Sequence, residues 1–129
     1  MVSVSTAIPI SNGRKRDRRD TYDHHPFSSE HVLMDIQYNL EITEKSYAPD
    51  GHARVMQLIN GQYPGPTIEA NWGDYLSITV KNSLPDNGTS IHWHGQRQYK
   101  TNTMDGTNGI TECPIAPGGS KTYTFQATQ

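Results

Sequence analysis

From Val32 the chain alternates. Val32, Met34, Ile36, Tyr38, Leu40 and Ile42 recur at every second position, with mostly polar residues between them: Asp35, Gln37, Asn39, Glu41 and Thr43. Side chains two apart share one face of an extended chain, so this period predicts a half-buried strand, with order beginning near His31. Pro49, Asp50 and Gly51 in "YAPDGHA" supply turn chemistry. "RVMQLIN" predicts the next strand, broken by "GQYPGP". "PTIEANWGDYLSITVKN" predicts two short strands around Gly73, with Leu76, Ile78 and Val80 facing one way and Ser77, Thr79 and Lys81 the other. After the loop "SLPDNGT", "SIHWHG" predicts a strand, and "KTYTFQA" predicts the last, with Tyr123 and Phe125 on one side. No segment has helical periodicity with caps. Short strands punctuated by Gly and Pro point to an all-β sandwich or barrel.

Composition divides the chain in two. Residues 1–30 read as a disordered polar and basic segment, and "RKRDRRD" holds Arg14, Lys15, Arg16, Arg18 and Arg19. Such a run reads first as a solvated tail; a targeting signal, a processing site or a polyanion-binding arm are its alternatives. Residues 31–129 carry 6 basic against 9 acidic residues. With a formal net charge of −2, the chain has no global reason to seek nucleic acid. No apolar run approaches the ~20 residues that cross a bilayer, so no membrane partner is expected. "MVSVSTAIPIS" lacks the compact apolar block of a secretory signal. Cys113 stands alone and makes no internal disulfide: it is a buried free thiol or the partner of a segment elsewhere.

The candidate chemistry lies in "SIHWHG". If the segment is extended, His92 and His94 project to one face roughly 7 Å apart at the backbone, and Trp93 projects to the other. Two imidazoles so placed suit Cu, Zn, Fe or Ni. Spacing alone is a weak signal, because most such pairs are ordinary strand residues.

The wider context is specific. "HWHG", then "DG", a Cys-Pro after a short gap, "PGG" and Tyr-Thr-Phe follow in order, preceded by "NGQYPGPTIEANWGD". Over residues 32–129 this resembles the first cupredoxin (plastocyanin-like) domain of the multicopper oxidases, most of all the laccases of filamentous fungi. The resemblance implies a cupredoxin-like Greek-key sandwich or barrel over 31–129. It implies copper as cofactor, in a trinuclear cluster to which His92 contributes a type 2 ligand and His94 a type 3 ligand. Asp105 matches a carboxylate that helps supply protons for oxygen reduction, and before Gly106 it also reads as a turn former. Cys113 matches a cysteine bridged to a C-terminal segment. Asp74 matches a structural loop position. Asn87, in "NGT", fits a glycosylation sequon. The implied activity is one-electron oxidation of phenolic substrates coupled to reduction of O₂ to water, in a secreted protein.

The resemblance also shows what this sequence lacks. The family's cluster takes four HxH pairs, and this chain has one; His24, His25, His31 and His52 match no ligand. No His or Met follows Cys113, so the Cys-His-Met set of a blue-copper site is missing. The chain therefore reads as an N-terminal fragment, incomplete at its C-terminal end and inactive alone, whose partners are the missing cupredoxin domains, O₂ and a phenol. An unpaired sheet edge and a tendency to associate are expected. The alternative is a non-enzymatic copper-binding or interaction module built on half a cupredoxin.

Overall fold

A computed structural model describes residues 2–3 and 33–128. The expected disordered segment falls almost wholly outside the described residues, together with its basic run, His24, His25 and His31. The strands are β1 (Val2–Ser3), β2 (Asp35–Tyr47), β3 (Arg54–Ile59), β4 (Tyr75–Asn82), β5 (Ile91–His92) and β6 (Ser120–Gln126). Asn102–Met104 forms one turn of 3-10 helix, the one helical element among the described residues.

Four strands make a sheet in the order β3-β2-β4-β6. β2 and β3 form an antiparallel hairpin. Its turn is closed by the Gly51 amide on the Ala48 carbonyl (3.3 Å), with Gly51 at φ 86°. β2 runs parallel to β4, pairing Tyr38 with Ile78 and Leu40 with Val80. β4 pairs antiparallel with β6, setting Leu76 opposite Phe125 and Ile78 opposite Tyr123. Among the described residues β6 has no second strand neighbour. β1 and β5 pair in parallel as a separate short ribbon.

The period-two pattern places the core as expected. Leu76, Ile78 and Val80 are buried while Ser77 and Thr79 are half-buried and Lys81 exposed. Along β2 burial deepens from Ile36 and Tyr38 to Leu40 and Ile42. Ile91 of β5 and Ile68, Leu84, Trp93 and Ile115 from the connecting segments pack onto this face. Each fully buried aliphatic or aromatic side chain contributes roughly 1.5–3 kcal/mol.

Two expected strands differ. The stretch before Gly73 forms no strand. Pro64 and Pro66 remove ladder donors near its start, and main-chain groups are met by side chains instead. Tyr38 Oη donates to the Glu69 carbonyl and accepts from the Glu69 amide, both at 3.0 Å. Asp74, fully buried, accepts from the Met34 amide at 3.1 Å and the Asn71 amide at 2.9 Å, which is the structural role expected for it. The strand expected over "SIHWHG" is cut to Ile91–His92. The Trp93 carbonyl accepts from the Gln96 amide at 3.0 Å, closing a turn in which Gly95 takes φ 86°.

Candidate metal centre

The two histidine rings lie together, their centroids 5.5 Å apart, edge to face at 70°. Between them Trp93 points into the core, 1% exposed. Its ring meets Tyr123 at 5.4 Å and Phe125 at 5.3 Å. The indole N–H has no acceptor among the described residues, so packing holds the ring in place. The imidazoles thus sit on either side of a residue anchored to β6. His92 is half-buried and His94 is exposed.

The loop between β5 and β6 fixes the His92 ring. The Asp105 carbonyl lies 2.9 Å from His92 Nδ1 and accepts from the Trp93 amide at 3.3 Å. Thr107 Oγ1 lies 3.3 Å from the same Nδ1, and Asp105 Oδ2 lies 3.4 Å away. A carbonyl can only accept, so Nδ1 carries a hydrogen, and in the neutral imidazole Nε2 keeps the lone pair. An imidazole whose outer N–H is held by a carbonyl or carboxylate has the arrangement of a metal ligand. The donor set therefore fits a metal that takes imidazole nitrogen, copper among them. Among the described residues no group of three or more His, Cys, Asp or Glu side chains could hold a metal.

Gly106 lets the loop come this close. It takes φ 76°, and a Cβ there would lie 1.7 Å from the Ile91 carbonyl oxygen. The Thr107 hydroxyl donates to Asp105 Oδ2. Farther along, Glu112 accepts from Tyr123 Oη at 2.6 Å and from Lys121 Nζ, which also donates to the Thr103 carbonyl at 3.3 Å. Burial first, then the Glu112 carboxylate, pushes the Tyr123 hydroxyl well above its usual range.

The sequence-predicted residues separate into groups. His92, His94 and Asp105 come together. Cys113 is exposed with a free thiol, which removes the buried-thiol alternative. Asn87 is exposed on its loop, its carbonyl accepting from Asn82 Nδ2 at 2.8 Å. His52 is exposed at the β2–β3 turn. Thr107, Glu112 and Lys121 belong to no motif of the sequence that points to a metal. A hydroxyl residue directly after Asp-Gly was the available signal for Thr107, and Lys121 shares the period of Tyr123.

An all-β, cupredoxin-like sheet carrying a histidine pair beside an Asp-Gly turn defines the class: a domain of the copper oxidases. Residues 41–129 match the family described as multicopper oxidase, and the chain belongs to that family. It is 54% identical over 95 residues to the dihydrogeodin oxidase of Aspergillus terreus, covering 73% of this chain and 16% of that protein. It is 58% identical over 97 residues to a laccase of Cryphonectria parasitica, covering 72% and 16%. The solved laccase from Botrytis aclada superposes with a TM-score of 0.74 at 48% identity, over 77% of this chain and 18% of that one. The chain thus spans about a sixth of the length of the relatives it matches. Copper is the family's cofactor.

Proposed function

We propose that this chain supplies one ligand pair, His92 and His94, to the trinuclear copper cluster of a laccase-type oxidase, His92 as the type 2 and His94 as a type 3 ligand. The observation that carries this is the pair of rings 5.5 Å apart, with the Nδ1 of His92 already committed to the Asp105 carbonyl. Bound copper supplies one-electron redox chemistry and a binding place for O₂. The chain's own residues supply donors and a proton path. His92 offers Nε2, because the loop holds a hydrogen on Nδ1. Asp105, at 22% side-chain exposure, stays in contact with solvent and can take up a proton beside His92. The residues for the other ligands, the substrate-facing copper and the phenol lie in the remainder of such a protein, with which this domain assembles. A self-contained copper module would require a third donor, and none joins the pair among the described residues.

An oxidising, secreted setting follows from the same reading. It is supported by the exposed Cys113 thiol, available to a segment elsewhere, and by the exposed Asn87 sequon. In the full-length protein, His92→Ala and His94→Ala should each lower bound copper and abolish O₂ uptake with a phenolic donor. Asp105→Asn should keep copper and slow O₂ reduction by about 10²-fold or more, the scale of a lost general acid. Full copper content and turnover in either histidine variant would end the proposal.

A further inference from the structure

We propose that Thr107 is a positioning residue that binds the Asp105 carboxylate and the His92 imidazole into one unit; this rests on the reading of His92 as a copper ligand. A hydroxyl has one hydrogen to give. That of Thr107 goes to Asp105 Oδ2, so toward His92 Nδ1, 3.3 Å away, Oγ1 can only accept. The Nδ1 hydrogen thus faces three acceptors: the Asp105 carbonyl, Thr107 Oγ1 and Asp105 Oδ2. The backbone settles Thr107 in turn. Its amide donates to Thr111 Oγ1 at 3.0 Å, and its carbonyl accepts from the Thr111 amide at 2.9 Å. The hydroxyl is therefore delivered by a closed loop rather than by a mobile side chain. It keeps the carboxylate turned toward the imidazole.

The test uses the copper-loaded full-length protein and reads copper affinity by competition with a chelator. Thr107→Val keeps the shape and deletes the hydroxyl, and should weaken binding by about 10-fold or more, the scale reported by groups that orient a ligating histidine. Thr107→Ser restores the hydroxyl and should recover most of that loss. His92→Ala, run alongside, should weaken binding beyond either. Wild-type affinity in Thr107→Val, or a Ser variant as weak as Val, overturns the positioning role while leaving His92 a ligand. Unchanged affinity in His92→Ala overturns both. If the Val variant does not fold, ¹⁵N spectra of His92 in the copper-free, unmutated chain decide. A proton on Nδ1 together with a Thr107 hydroxyl proton protected from exchange supports the proposal; a proton on Nε2, or a freely exchanging Thr107 hydroxyl, overturns it.

Discussion

At Gly106 a single hydrogen in place of a methyl sets the spacing of the site. An added Cβ would lie 1.7 Å from the Ile91 carbonyl oxygen and 2.6 Å from its carbon. Both are backbone atoms that cannot rotate away, and φ of 76° disfavours any L side chain there. Gly106→Ala must push the loop off β5, parting the Asp105 carbonyl from His92 Nδ1. It should lower the unfolding free energy by more than the ~1 kcal/mol of an ordinary left-handed glycine, and lower copper retention with it. Chemical denaturation read beside copper content checks both. Wild-type values for the two would contradict the close approach. Tyr123 offers a second test at this scale. Its hydroxyl is held neutral by burial and by Glu112, so its folded value lies above the unfolded value of 10.0. Above pH ~10 the unfolded chain binds fewer protons than the folded one, so stability falls as pH rises from there. Tyr123→Phe should flatten that alkaline slope in denaturation midpoints measured across pH 9–11, and an unchanged slope would count against it.

Among the elements, the β5–β6 loop depends on β6 for its position. The Glu112 carboxylate is 5% exposed and bridges Lys121 and Tyr123, two positions apart on β6. Glu112→Ala should cost about 2–3 kcal/mol. That is below the ~3–5 of a fully buried pair, because Lys121 keeps 27% of its side chain exposed. Urea unfolding measures this directly, and a loss under half a kcal/mol would show the bridge to be incidental. The same element marks the boundary of what the sequence made legible. Alternation gave β2, β4 and β6 with their buried faces, because burial on one side of a sheet imposes period two wherever the strand is long. It failed over 66–74, where two buried side chains, Ile68 and Asp74, and a borrowed tyrosine hydroxyl do the work of a ladder. It also overextended "SIHWHG", since nothing local shows that the Trp93 carbonyl closes a turn. The histidine pair and Asp105 were readable from motif order. Thr107 and Glu112 were not, because their partners are set by loop geometry across 2 to 15 residues.

Taken whole, the molecule is a mixed sheet with one well-covered face and an edge at β6 that no described strand occupies. Exposed edges recruit partners, so the 129-residue chain expressed alone should associate with rising concentration. A single monomeric species in sedimentation across a hundredfold range would contradict this. Charge adds little between the two inner strands. There Glu41 of β2 accepts from Ser83 Oγ at 2.6 Å and from Lys81 Nζ of β4 at 3.0 Å. These hold its carboxyl below the ordinary value, the serine hydroxyl first. That contribution is present above pH ~4.5 and fades as pH falls through the lowered value.

Because Trp93, the residue joining the two histidines in the chain, rests on Tyr123 and Phe125, ligand placement and core packing are mechanically coupled. Substitutions at Tyr123 or Phe125, remote from any donor atom, should surface in a screen for weakened copper retention. In the reverse direction, metal loading should slow amide exchange in β4 and β6 well away from the histidines.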